Sequence, residues 1–310
     1  MKADAVFEGG GIRGIAFAGA IEAMEQRGVE WVRLAGTSVG SILASLLAAG
    51  YTSKEIHAEL RLLNFKLLRG KTWLNHIPLI GNVSHLFLHL GMYKNDYIEQ
   101  WMNQLLSAKG IRTFADLPKD SLKIIASDIS NGQMLVFPDD LPRYGLKEKD
   151  MPVAKAVMMS TSIPFFYRPA KLKAKNGRSY IVDGGLLSNF PIWIFDVPEP
   201  RFPTFGFRFL KDTIEADSII PTPIHLAQNI VKTMLQAHDM RHLNDEAKER
   251  TLQIYTGSIN ATDFHLNDEQ MDTLYQSGFD SANRFLEQWN FEQHKQNRKA
   301  RKSSKKQDIQ

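Results

Sequence analysis

Twice before residue 50 the chain runs an apolar, β-rich segment into a glycine cluster and then straight into a helix-forming stretch. Ala3–Glu8 leads into Gly9-Gly10-Gly11-Ile12-Arg13-Gly14, and Trp31–Ala35 leads into Gly36-Thr37-Ser38-Val39-Gly40. A strand that becomes a helix within a few residues needs a sharp turn, and glycines allow it where a Cβ would collide. Further β-rich runs at Leu122–Ile129, Met134–Phe137, Ser179–Val182 and Phe205–Phe209 alternate with helix-period segments, so the chain reads as α/β. Helices are expected from Gly14 to Arg27, ended by Gly28, and from Ser38 to Ala49. Behind an Asn267 cap, apolar residues from Met271 to Trp289 recur at three- and four-residue steps, which marks a packing helix with no chemistry of its own.

The chain has 310 residues, 43% of them hydrophobic, enough for one large domain, expected over 1–293. Its formal charge is +4, but seven of the 38 Lys and Arg residues lie between Lys295 and Lys306, and +4 less 7 leaves −3 on the rest of the chain. Such a body has no basic groove for tracking phosphates, so nucleic acid is not an expected partner. Residues 294–310 are rich in Lys, Arg, Gln and Ser, which suggests a disordered basic tail. The lack of cysteine excludes disulfides, Cys-ligated metals and a thiol nucleophile, and makes the cytoplasm the simplest compartment. No apolar leader precedes the first strand, so no cleaved signal is expected. Two uncharged stretches, Leu34 to Ser53 and Thr72 to Tyr93, approach the length of a membrane span. Glycines and serines in the first, and Pro78, Gly81, Asn82 and three histidines in the second, argue against that reading.

Gly36-Thr37-Ser38-Val39-Gly40 has the form of a nucleophile elbow. Its glycines permit a strained turn that leaves the serine hydroxyl exposed at a helix N-terminus, where a developing anion is favoured. Standing alone, the same five residues are about as well read as an ordinary glycine-rich turn. Glu8 to Gly14 lets several backbone amides converge, which suits an anion. A phosphate loop would continue into Gly-Lys-Ser/Thr, and a dinucleotide fingerprint would have a different glycine spacing. An oxyanion hole built from Gly9, Gly10, Gly11, Arg13 and Gly14 fits better. Asp183-Gly184-Gly185 follows the run Ser179–Val182. A carboxylate there could orient or deprotonate Ser38, although Asp-Gly-Gly by itself is most often only a turn.

With these three elements in order, the sequence resembles the patatin-like phospholipase family, whose pattern is a glycine-rich G-G-G-x-R/K-G loop, then G-x-S-x-G, then D-G-G/A. Intermediate blocks agree: Ala126 to Gly132, Met159 to Phe166, and Asp183 to Pro191 in the form D-G-G-x-x-x-N-x-P. The resemblance covers about residues 4–210, with a helical part expected over 222–293. It implies a three-layer α/β/α fold on a central, mostly parallel sheet, and a Ser–Asp dyad. Ser38 would attack an acyl ester of a phospholipid, lysophospholipid or related lipid, Asp183 would take its proton, and the glycine loop would hold the oxyanion. It implies no metal or organic cofactor.

Rival readings use other residues. A histidine triad would draw on one of nine histidines, and none follows a strand in a recognisable turn. His85 with His89, or His238 with His242, would more often be packing or surface residues than metal ligands. An acyltransferase with the same serine and a catalytically silent lipid-binding protein are the alternatives. Arg13 either draws in a phosphate headgroup or fixes the loop, with loop fixing favoured, and Asp128 reads as a turn residue. Leu67 to Tyr93 is a candidate lid or membrane contact. The basic tail is a second one, giving a cytoplasmic protein with peripheral membrane contact as the expectation.

Overall fold

The computed structural model describes residues 1–63, 90–174, 177–210, 233, 245–259, 261 and 266–307. In chain order the strands are β1 (Lys2–Phe7), β2 (Glu30–Thr37), β3 (Gly91–Tyr93), β4 (Leu122–Asp128), β5 (Gln133–Phe137), β6 (Phe165–Tyr167), β7 (Ala170–Ala174), β8 (Gly177–Asp183), β9 (Thr204–Leu210) and β10 (Thr251–Tyr255). The main helices are α1 (Gly14–Gln26), α2 (Val39–Ala48), α3 (Ser53–Leu62), α4 (Asp96–Ala108), α5 (Val153–Ser160), α6 (Asp245–Glu249), α7 (Asp268–Gln288) and α8 (Phe291–Gln307).

The main sheet runs β10-β9-β1-β2-β4-β8-β7, with β5 also on β4. Every pairing from β10 to β4 is parallel, whereas β4–β5, β4–β8 and β8–β7 are antiparallel. Helices surround this mostly parallel sheet. β1 lies in its middle, buried on both faces after Lys2, which explains why Ala3, Ala5, Val6 and Phe7 do not alternate with polar residues.

The change of direction at β4 sets up the site. β2 lies on one side of β4 with Thr37 opposite Ile125, and β8 lies on the other with Asp183 opposite Ala126. Two turns that are far apart in sequence thus leave the sheet at the same level.

α1 packs between the sheet and α7. The Phe17 ring stacks on Phe209 at 4.2 Å and meets Phe7 at 5.8 Å. A Cβ on Gly19 would run into the Tyr275 carbonyl, and one on Gly278 into the Ala16 carbonyl, so the two helices need glycine on both sides to approach this closely. The expected cap of α7 is present: Gln270 N donates to Asn267 Oδ1 at 2.8 Å, and Gln270 Oε1 accepts from Asn267 N at 3.0 Å.

Two expectations about the C-terminal part need correction. The region expected to be helical supplies β10, which extends the sheet edge parallel to β9; five residues were too few for their period to stand out. The tail expected to be disordered from 294 is helical through Gln307. His294 is buried against the Trp289 ring at 5.1 Å, its Nδ1 lies 3.2 Å from Glu249 Oε2, and Arg298 lies 2.7 Å from Glu246. Acidic α6 gives the basic segment a partner that composition alone could not reveal. Among the described residues no helix is long and apolar enough to cross a membrane.

Candidate active site

Ser38 sits between the end of β2 and the first residue of α2 with φ 53° and ψ −124°, a conformation that side-chain-bearing residues rarely adopt. The flanking glycines make the turn sterically feasible. A Cβ on Gly36 would collide with the Gly40 carbonyl, and one on Gly40 with the Phe7 carbonyl. The turn is also held from outside: the Ser38 amide donates to Ser160 Oγ at 2.9 Å, and Ser160 Oγ donates to the Ile125 carbonyl at 2.6 Å. Ser41 Oγ donates to the Ser38 carbonyl at 2.6 Å.

Asp183 ends β8, and its Oδ1 accepts from the Gly185 amide at 2.8 Å. Gly184 presses against β4, where a Cβ would meet the Ile125 carbonyl. The structure brings the two sequence-selected residues together, with the Ser38 side chain near enough to the Asp183 carboxylate to act on its affinity for protons. Burial pushes the Asp183 carboxyl up to about 6, against the downward pull of the Gly185 amide and the nearby Ser38 hydroxyl. A carboxylate with that affinity is ionised at neutral pH yet basic enough to take a proton from a serine that loses it during attack.

The glycine loop lies beside Ser38. A Cβ on Gly9 would stand 3.2 Å from Ser38 Cβ and collide with Asn189 Oδ1. The five loop residues differ in what they can offer an anion. The Gly9 amide donates to the Asn189 carbonyl at 3.1 Å, and the Gly14 amide turns back to the Gly11 and Ile12 carbonyls. These two donors are committed within the fold, which corrects the five-residue expectation. Arg13 Nε donates to the Gly10 carbonyl at 3.2 Å, and its guanidinium lies 4.7 Å over the Phe209 ring, so its side chain fastens the loop. Gly10 and Gly11 remain, their amides meeting no acceptor among the described residues. Gly11 has φ +57° and abuts the Ala261 carbonyl, a place only glycine fits.

Several residues around the site were quoted in the sequence without a role. Glu8 is buried at the loop's start; its Oε2 accepts from Phe209 N at 2.8 Å and its Oε1 from Asn189 Nδ2 at 3.2 Å, with Arg208 3.5 Å away. Asn189 Nδ2 also donates to the Gly9 carbonyl at 3.3 Å. An acidic residue at the end of an apolar strand, just before a glycine cluster, is the signal that marks Glu8. Ser160 carried no comparable local signal. Asp128 is the turn residue expected, accepting from the Ser130 and Asn131 amides at 2.9 and 3.2 Å.

A mostly apolar pocket opens beside Ser38, walled by Ile12, Ile15, Val39, Ile42 and Ile98 and continuing to Asn95 and Tyr167. Of the nine histidines, His57 and His294 are described: His57 stacks on Tyr275 at 4.0 Å, and His294 packs on Trp289. The pairs His85 with His89 and His238 with His242 lie outside the described residues, as does the candidate lid from Leu67 up to residue 89. Among the described residues, no three His, Asp or Glu side chains gather as they would around a metal ion.

The chain is similar to several known proteins. The protein YqhO of Bacillus subtilis (strain 168) is 44% identical over 293 residues, covering 94% of this chain and 100% of that protein. A probable lipid hydrolase, 463L, of Invertebrate iridescent virus 6 is 25% identical over 194 residues, covering 60% of this chain and 61% of that protein. Among solved structures, VipD from Legionella pneumophila superposes with a TM-score of 0.56 at 17% identity, a likeness of fold; it covers 92% of this chain, and the chain spans 66% of VipD. The family model for patatin-like phospholipases matches residues 5–196, which is more than half of the sequence. With a match of that extent, the chain belongs to the patatin-like phospholipase family.

Proposed function

We propose that this protein is a serine hydrolase of acyl lipids, of the phospholipase A or lysophospholipase type, working through a Ser38–Asp183 dyad. The observation that carries the reading is a serine held in a strained turn at the N-terminal end of α2, its side chain beside a buried aspartate whose affinity for protons is raised to about 6. In the proposed reaction Ser38 Oγ attacks the ester carbonyl while its proton passes to Asp183, giving a tetrahedral oxyanion. The Gly10 and Gly11 amides and the N-terminal end of α2 stabilise that charge. Collapse expels the alcohol, which takes up the proton, and leaves an acyl-Ser38 ester. Water, giving a proton to Asp183, then attacks the acyl ester; the bond to Ser38 Oγ breaks, Asp183 returns the proton to that oxygen, and the fatty acid leaves.

The apolar pocket beside Ser38 suits the acyl chain, because its isoleucine and valine walls gain by shedding water onto a hydrocarbon. Access to lipid would come through transient contact with a membrane surface, by the 67–93 segment, by the basic residues of α8, or by both. A protein of this kind would work in the cytoplasm at the membrane periphery, with neither nucleic acid, metal nor organic cofactor in its reaction.

The reading is tested by covalent capture. A fluorophosphonate, which reacts with activated serines, should label the wild-type chain, and peptide mass spectrometry should place the adduct on Ser38. Labelling that survives Ser38→Ala unchanged would remove Ser38 from the reaction.

A further inference from the structure

We infer that the outer face of the β7–β8 hairpin docks on an anionic phospholipid surface and so brings the pocket beside Ser38 against the lipid. The inference takes its partner from the acyl hydrolase reading and names a surface by which that site meets its substrate.

The register places the hairpin. β2 and β4 run parallel with Thr37 opposite Ile125, so Ser38 lies just past the carboxyl edge of the sheet. β8 pairs with β4 from Asp183 opposite Ala126 to Ile181 opposite Asp128, where β4 ends. Gly177 to Tyr180 therefore stand beyond that edge, on the side of Ser38, with β7 paired alongside. At the rise of a strand, Arg178 is about 17 Å further out than Asp183. β7 also follows the pocket closely: Tyr167 lines it, and Lys171 comes four residues later.

The hairpin has two unlike faces. Leu172 and Ser179 stand opposite each other and are buried. Lys171, Lys173 and Arg178 are exposed on the other face, Lys171 opposite Tyr180 and Lys173 opposite Arg178. The Lys171 ammonium lies 5.7 Å from the centre of the Tyr180 ring, and none of the three cations forms an ion pair among the described residues. Like charges directly opposite one another weaken a ladder, so folding gives no reason to set Lys173 against Arg178. Lysines on an edge strand guard against unwanted pairing, which accounts for those on β7 but not for Arg178 on β8. A negatively charged partner supplies what this face lacks.

Apolar groups flank the cations. Ile129 is 47% exposed and gives its amide to the Tyr180 carbonyl at 3.0 Å, while Phe165, 37% exposed, stands on β6 two residues before Tyr167. Cations beside exposed apolar side chains suit a membrane interface, where the charges meet headgroup phosphates and the apolar groups enter the acyl boundary. A nucleic acid would use the cations but leave Ile129 and Phe165 in water.

The test is flotation of the full chain with vesicles of ether-linked phosphatidylcholine, with and without ether-linked phosphatidylserine, so that no acyl ester is present to be cleaved. Binding should depend on the phosphatidylserine. It should fall about a hundredfold when Lys171→Gln, Lys173→Gln and Arg178→Gln are combined, the effect of three cations at an anionic surface. A control combining Lys54→Gln, Lys119→Gln and Lys248→Gln, which removes as much charge from exposed lysines elsewhere, should bind like wild type. Both variants, checked for folding by thermal melting, should hydrolyse a soluble short-chain ester at the wild-type rate. Unchanged binding by the hairpin variant, or an equal loss in the control, would overturn the inference. Tighter binding of wild type to a DNA duplex than to the anionic vesicles would overturn it too, and assign the face to nucleic acid. Wild type that floats as expected yet hydrolyses no ester would overturn the hydrolase reading and leave the docking surface standing.

Discussion

The backbone amide of Ser38 donates to the side-chain oxygen of Ser160 at 2.9 Å, although the two residues lie on different turns of the fold. Ser160 closes α5, and its own proton goes to the Ile125 carbonyl of β4, so one hydroxyl ties the strained elbow to the sheet and to a helix C-terminus together. Replacing it by Ala leaves the buried Ser38 amide without its partner. Ser160→Ala is expected to lower stability by about 1–3 kcal/mol, read by urea denaturation. It should also lower kcat by at least about tenfold with little change in KM, because a nucleophile whose turn relaxes loses reach rather than substrate affinity. An unchanged kcat would show that the turn holds itself.

The raised affinity of Asp183 predicts the pH dependence of catalysis. The base must be ionised to accept the Ser38 proton, so kcat/KM on a soluble short-chain ester should rise with pH, level off above about 6, and fall tenfold per unit below. A limb centred near 7 that persists in Asp183→Asn would point to a histidine instead.

The same carboxyl makes a prediction about stability with a definite sign. In the folded chain it keeps its proton up to about pH 6, whereas its ordinary value is 3.8, so folding takes up a proton between these values and stability falls as the pH rises through that window. Above it, Asp183→Asn removes a buried charge. The variant is expected to be more stable than wild type at pH 8 by roughly 1–3 kcal/mol and to lose that advantage near pH 4, read by thermal melting at both values.

Much of this site was legible in the sequence because its parts are local. The strands before both glycine clusters, the elbow, the helix that follows it, the Asp-Gly-Gly turn and the Asn267 cap each lie within a few consecutive residues, and their periods or glycine spacing give them away. Ser160 acts through contacts across long separations in the chain, so its identity alone carries little signal. β7 and β10 are short enough for their alternation to be lost in neighbouring sequence. α3 was missed despite a readable sign: Thr52 and Glu55 form a capping box, the Glu55 amide donating to Thr52 Oγ1 at 3.3 Å and the Thr52 amide to Glu55 Oε2 at 2.7 Å. The basic tail misled because its helix is anchored by His294 and by acidic partners on α6, which a count of apolar residues ignores.

If the pocket beside Ser38 holds the acyl chain, narrowing it should change chain-length preference. Ile98→Trp, on α4, places a larger ring into that wall at a cost of about 1–3 kcal/mol in overpacking. The ratio of kcat/KM for palmitoyl over butyryl esters should fall about tenfold. A ratio equal to that of wild type would place the acyl chain elsewhere.

The end of α8 offers a test of membrane docking that spares the packed part of the tail. Truncation after Ala300 keeps His294 and Arg298 but removes Arg301, Lys302, Lys305 and Lys306. At about 1 kcal/mol for each basic residue near an anionic surface, binding to vesicles rich in phosphatidylserine should weaken by two orders of magnitude or more, read by flotation. Equal binding by the truncated and full chains would leave the tail without a role at the membrane.

The central claim is that Ser38 and Asp183 together hydrolyse acyl lipids, and the most direct measurement is fatty-acid release. Wild type, Ser38→Ala and Asp183→Asn, each shown to fold, would be assayed side by side on diacyl and monoacyl phospholipids and on a short-chain ester. The account predicts release by wild type and a fall of at least about a thousandfold in both variants. Wild-type rates in Asp183→Asn, or no release by wild type from any substrate, would contradict it.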